Sequence, residues 1–334
     1  MKTSHALCWT TGFVLHVACA AALAQRPAVE TIRVIGLIGR PLPVAVAETQ
    51  GIFARYGLAV QVETAPNSEV LRANLASGKS DIAHIAVDNA VAMVELSKAD
   101  VIIVMGGEGS LNELIVQPGI ASVSELRGKT VIVDAPNTAY ALQLKKILLL
   151  NGLQPGRDCE IKPIGATPQR LAAMREHKEY AGSMLGPPTS ILAKKDGFLS
   201  LGSVQKFIGP YQGPGAFVLR PWAREHADAL SRYLAAYIEA QRWLMAPANK
   251  QQVIDLLAKE SRLPAAVAVE TYALLVDGAG GYQVDARFDV HAFKNVLKLR
   301  AEVEGQWGGH APAAGKYFDL SYYKRAIAKL KPQH

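Results

Sequence analysis

The chain has 334 residues, half of them hydrophobic, which suffices for two lobes with separate apolar cores and excludes a disordered chain. Its 36 Lys and Arg against 29 Asp and Glu give a net charge of +7, interspersed with acids rather than gathered in a run. That distribution argues against a nucleic-acid partner and permits an anionic small ligand.

At the N-terminus, Lys2 precedes an apolar run from Ala6 to Ala24 that closes on Ala22, Leu23 and Ala24, the small-x-small pattern of a signal-peptidase site. Residues 1–24 are therefore expected to be a signal peptide cleaved after Ala24, giving an exported protein of the bacterial periplasm. An uncleaved anchor is the alternative, but Thr10, Thr11 and His16 interrupt the run. Removing Lys2 takes the charge from +7 to +6, and removing Cys8 and Cys19 leaves Cys159 alone, with no internal disulfide or metal cluster. No metal or cofactor is expected.

From Thr31 onward, β-like and helical runs alternate. "TIRVIGLI" reads as a strand, "PVAVAETQGIFARY" as a helix stopped by Gly51 and Gly57, and "LAVQVETA" as a half-buried strand. The helix "EVLRANLASG", the strand "DIAHIAV", the helix "NAVAMVELSK" and the strand "DVIIVMGG" follow. Strands separated by single helices imply right-handed βαβ units and a mostly parallel sheet. A second α/β series runs from "SELRGKTVIVDAPNTAYALQLKKILLLNGL" through "CEIKPIG", "PQRLAAMREH" and "AGSMLG" to "PTSILAKK". After "GAFVLRPW", long amphipathic helices carry Leu230, Tyr233, Leu234, Tyr237, Ile238 and Trp243 at helical spacing, as expected of helices packed on the first lobe.

"NELIVQPG", Asn112 to Gly119, and "GPYQGPGAFVLR", Gly209 to Arg220, read as two crossings between lobes, and hence as a hinge beside a cleft. The expected division is lobe I at 25–117 and 216–334, with lobe II at 118–215.

Catalytic signatures are lacking: there is no G-x-S-x-G, H-E-x-x-H or Walker lysine loop. "GGEGSLNE" at Gly106 has Asn112 where a dinucleotide fingerprint needs its third glycine. His84, His177, His226, His291, His310 and His334 are scattered without regular partners. The chain is not expected to be an enzyme.

What recurs is a polar or proline helix start directly after a strand: Gly39 to Pro43, Asn67 and Ser68, Asp88 and Asn89, Asn137 and Thr138, Thr167 and Pro168, and Pro187 to Ser190. Each is a cap first. Yet in open parallel sheets such starts share the carboxyl edge, so two facing sheets would aim them into one cleft suited to a small anion. The candidate ligand-binding residues are Gly39, Arg40, Leu42, Asn67, Ser68, Asp88, Asn89, Asn137, Thr138, Pro187 and Tyr211. Among them Arg40 is expected to fork a carboxylate or sulfonate, and Tyr211 to stack on a planar ligand.

"LPVAVAETQGIFARYGLAVQVE", "SEVLRANLASGKSDIAHIAVDNAVAM" and "SVSELRGKTVIVDAPNTAYALQLKKILLLNGLQPGRD" resemble the periplasmic substrate-binding proteins of ABC importers, in the nitrate, sulfonate, taurine and thiamine-precursor branch. The resemblance implies a type II periplasmic binding-protein fold: two doubly wound α/β lobes, a two-segment hinge, and extra C-terminal helices on lobe one. It also implies capture of a small ligand, of sulfonate, carboxylate or pyrimidine class, by a monomer that delivers it to an inner-membrane permease and its ATPase, or presents it to a membrane receptor. Phe53 and Tyr56 are then packing residues. Two departures stand out: Tyr180 and Ala181 replace a common Asp-Ala pair, and the cysteine-rich stretch of pyrimidine synthases is missing.

Overall fold

The structure is a computed structural model that describes residues 29–37, 39–277 and 279–330. The expected signal peptide, its cleavage point and His334 lie outside the described residues. A first series runs β1 (Glu30–Gly36), α1 (Leu42–Thr49), α2 (Ile52–Arg55), β2 (Leu58–Thr64), α3 (Ser68–Ala76), β3 (Ile82–Ala86), α4 (Asp88–Leu96) and β4 (Val101–Met105). The second runs β5 (Glu113–Val116), β6 (Thr130–Val133), α5 (Ala139–Leu150), β7 (Glu160–Pro163), α6 (Thr167–Glu176), β8 (Tyr180–Leu185), α7 (Thr189–Lys195), β9 (Leu199–Ser203) and α8 (Val204–Ile208). There follow β10 (Pro214–Leu219), α9 (Arg220–Glu225), α10 (Ala227–Met245), α11 (Lys250–Ser261), α12 (Ala265–Asp277), α13 (Val290–Glu304) and α14 (Ser321–Lys329).

Local signals place these elements. Gly51, at φ +63°, splits the long expected helix into α1 and α2, and Gly57, at φ +66°, turns the chain into β2. The Asn67 side chain accepts from the Val70 amide at α3, and the Thr138 hydroxyl accepts from the Ala141 amide at α5.

The strands form two five-stranded sheets, in the orders β2-β1-β3-β10-β4 and β7-β6-β8-β5-β9. Each sheet has one strand reversed: β10 runs antiparallel to β3 and β4, and β5 runs antiparallel to β8 and β9. The two reversed strands are the ones that follow the crossings: β5 opens the second sheet, and β10 returns the chain to the first.

This moves the lobe boundaries read from sequence. Glu113–Val116, assigned above to lobe I and the first crossing, pairs within the second sheet. Pro214 and Gly215, assigned to lobe II, pair with Ala86 and Ile85 of the first. The crossings are the shorter stretches Gly106–Asn112 and Gly209–Gly213. An extended apolar run has the same sequence texture whether it bridges lobes or joins a sheet, and its partners lie far away along the chain.

Alternation along the strands separates the layers. On β1, Ile32 and Val34 face an outer core with Tyr233, Leu234 and Ile238 of α10, whereas Ile35 faces an inner core shared with Val131 of β6 and Leu114 of β5. On the second sheet Ile132 and Ile115 face a smaller outer core with Leu171 of α6 and Ala193 of α7. Phe53 stacks on Tyr233 with ring centroids 5.7 Å apart, and the Tyr56 hydroxyl donates to Glu239, so both pack structurally as expected. Leu230, Leu234 and Ile238 are fully buried, each side chain contributing about 1.5–3 kcal/mol. The helix α13 is not confined to the first lobe: Lys145 and Lys146 of α5 pair with Glu304 and Glu302 at 2.6 and 2.9 Å.

Candidate functional site

The carboxyl edges of the two sheets meet at a cavity of about 240 Å³, below the roughly 300–1,000 Å³ of drug-sized sites and so suited to a compact guest. The turn from β1 into α1, the end of β3, the start of α5, the turn after β8 and both crossings line it. Glycines let the crossings touch: a Cβ on Gly213 would run into the Gly109 carbonyl, and one on Gly109 would come within 2.8 Å of the Gly280 Cα.

Eight of the eleven sequence candidates line this cavity: Gly39, Arg40, Leu42, Ser68, Asn89, Thr138, Pro187 and Tyr211. Three do not. Asn67 is spent capping α3. Asp88, fully buried, faces Arg300 at 3.2 Å, and Asn137 offers its carbonyl to the same guanidinium at 2.8 Å. Of the other helix starts, Thr167 and Pro168 also stand outside the lining, because α6 begins beyond the cleft.

Several lining residues are already engaged. Arg40 is ion-paired with Glu48. The Ser68 hydroxyl donates to one oxygen of buried Asp134 at 2.7 Å, and the Thr138 hydroxyl donates to the other at 2.6 Å. Ser68 belongs to the first lobe and Asp134 to the second, so this contact ties the lobes together. Arg300 does the same, donating to Asp88 on one side and to Asn137 on the other. Burial pushes the Asp88 carboxyl up to about 6, against the pull of Arg300 and Arg72. Asn89 accepts from Arg72 at 3.0 Å. Tyr211 is buried, and its hydroxyl has no partner among the described residues.

The sequence reading missed one wall of the cavity. It includes Glu108 in the first crossing, Tyr140 on α5, Tyr237 on α10 and Tyr282 beyond α12, together with Leu257 and Leu275. Tyr237, expected to be core only, is buried yet faces the cleft, and stacks on His84 with centroids 4.8 Å apart. His84 is held neutral down to about 3 by burial and meets the Tyr233 hydroxyl at 2.9 Å. Burial alone pushes the Glu108 carboxyl up to about 8. The signal available in sequence was a lone acid set among glycines, "GGEGS", in a stretch already rejected as a nucleotide loop.

Among the described residues, no group of three His, Cys, Asp or Glu side chains is arranged to hold a metal ion, and no helix is long and apolar enough to cross a membrane.

Comparison with solved structures finds the same fold in several proteins. A protein of Bordetella bronchiseptica matches with a TM-score of 0.78 at 16% identity, over 90% of this chain and 97% of that one. The periplasmic nitrate-binding protein of Synechocystis matches at 0.74 and 15% identity, over 91% and 89%. The periplasmic aliphatic sulphonate binding protein of Escherichia coli matches at 0.68 and 18% identity, over 87% and 92%. At such identities the likeness is one of fold, and it is the two-lobed binding-protein fold expected from the sequence. No curated protein matches the chain by sequence. The family comparison does reach the sequence itself, matching residues 35–258, and on that span the chain belongs to the NMT1-like family.

Proposed function

We propose that the protein is the solute-binding component of an ABC importer, capturing a small organic ligand between its lobes and handing it to a membrane permease and ATPase. The observation that carries this reading is the cavity formed where two sheet edges meet, bridged by two short glycine-containing crossings that can act as a hinge. The nitrate- and sulphonate-binding proteins of the same fold support it. An anionic group on the ligand would be held by backbone amides at the starts of α1 and α5, each terminus contributing on the order of 0.3–1 kcal/mol. Arg40 would add a charge-assisted contact once it swings from Glu48.

In this reading the protein works as a periplasmic monomer after removal of residues 1–24, without catalysis. Small-angle scattering of the full folded chain, with nitrate, alkanesulfonates, arenesulfonates and carboxylates added in turn, tests it. Compaction with at least one of them is expected, and an unchanged radius with every one would sink the hinge mechanism. The tyrosine wall favours a second reading, in which the ligand is a planar ring of pyrimidine class stacked between Tyr140 and Tyr237.

A further inference from the structure

Glu108 is out of place in a cleft built only for anions. It sits at the joint between the lobes: its amide donates to the Pro214 carbonyl at 3.3 Å, and its own carbonyl accepts from the Gln212 side chain at 3.0 Å. The backbone is thereby fixed, while the carboxyl lines the cavity with no hydrogen-bond or ion-pair partner among the described residues. The other acids in or beneath the cleft each have a polar partner: Asp134 has Ser68 and Thr138, Asp88 has Arg300 at one of its two oxygens, and Glu48 has Arg40.

The groups around Glu108 come from several elements, and none is a cation. Tyr140 of α5, Tyr237 of α10 and Tyr282 after α12 each feel its charge, and each phenol is held above its ordinary range by burial. His84 is neutral, Arg40 pairs with Glu48, and Arg170 lies over the Tyr140 ring at 4.3 Å rather than against Glu108. A buried carboxyl among phenols, with no cation of the protein paired to it, is the complement of a cationic nitrogen, which would gain an ion pair there.

We infer that Glu108 is the specificity-determining residue of the cleft, and that the captured ligand carries a protonated amine or amidine that pairs with it between Tyr140, Tyr237 and Tyr282. The inference rests on the capture reading and narrows its ligand class. An anionic group at the far end of the same molecule is compatible with it. A ligand with an anion and no cationic nitrogen would meet the protonated carboxyl that burial favours, and its binding would weaken as pH rises.

Matched probe pairs decide the matter: benzylamine against benzyl alcohol, and 4-(aminomethyl)benzenesulfonate against toluene-4-sulfonate. Each is followed by thermal shift and calorimetry on the full folded chain and on Glu108→Gln. The amine member of at least one pair should bind wild type roughly ten- to hundred-fold more tightly than its partner, and Glu108→Gln should erase that difference. Amine binding should also strengthen from pH 6 to pH 8.5, as Glu108 loses its proton.

If toluene-4-sulfonate binds as well as its amine counterpart and survives Glu108→Gln, the inference fails while the capture reading stands. Affinity that weakens across the same pH range would mean that Glu108 donates a proton to an anion, and also overturns it. Absence of any shift with every probe, nitrate and alkanesulfonates included, counts against both readings. The unliganded melting temperature of Glu108→Gln reports separately on folding.

Discussion

Asp134 and Glu108 are two carboxylates of one cleft region kept in different company. Asp134, on the floor where the lobes touch, receives a hydroxyl proton from each lobe, through Ser68 and Thr138. Beside it Arg300 spans from Asp88 to the Asn137 carbonyl. Glu108, in the first crossing, has no ionic partner among the described residues and lies near the phenols of Tyr140, Tyr237 and Tyr282. The contrast separates polar groups that hold the lobes against each other from those left over for a guest. Residue type and strand-end position alone could not have made that division.

The most disruptive way to break the floor is Arg300→Met. It leaves Asp88 buried without its counter-charge and should cost about 3–5 kcal/mol in urea unfolding, with part recovered in Arg300→Met/Asp88→Asn. Next comes Gly213→Ala, which forces a methyl onto the Gly109 carbonyl where the crossings touch, and is expected to cost about 3 kcal/mol by the same measurement. Ser68→Ala removes the interlobe donor to Asp134 but leaves Thr138 in place. A loss of about 1.5 kcal/mol is expected, together with a larger radius of gyration in scattering.

The wall is probed by pH rather than by truncation. A carboxyl pushed up from 4.5 to about 8 on folding holds its proton more tightly in the folded chain than in the unfolded one. The unliganded protein should therefore lose stability as pH rises from 4.5 to 8, and then level off. Below pH 6.5 Asp88, pushed up to about 6, and His84, held down from 6.5 to about 3, act in opposite directions, so the decline between pH 6.5 and 8 belongs mainly to Glu108 and should vanish in Glu108→Gln. Smallest of all is Arg40→Ala: its pair with Glu48 is partly exposed, and melting should change by less than about 1 kcal/mol.

The fold was legible because strands and helices alternate with distinct hydrophobic periods, and because Gly51 and Gly57 mark where one yields to the other. Strand direction was not legible, since "ELIV" and "PGAFVL" carry no record of which sheet they enter. The helix-start residues that line the cavity, Ser68, Asn89 and Thr138, were found because a strand end fixes where the next helix begins. The tyrosine wall stayed hidden: Tyr237 lies within an amphipathic stripe, Leu230 to Trp243, that serves the core everywhere else. Arg300 and Asp88 are 212 positions apart, and their meeting depends on how α13 lies across both lobes.

The returning strand β10 also sets an order on how the molecule can be assembled. All five strands of the second sheet, from β5 to β9, lie in one unbroken stretch ending at Ser203. The first sheet cannot join β3 to β4 until β10, ending at Leu219, has been made. A chain emerging from its N-terminus thus carries an incomplete leading half while the trailing half can already close, so the first sheet is the last to be completed.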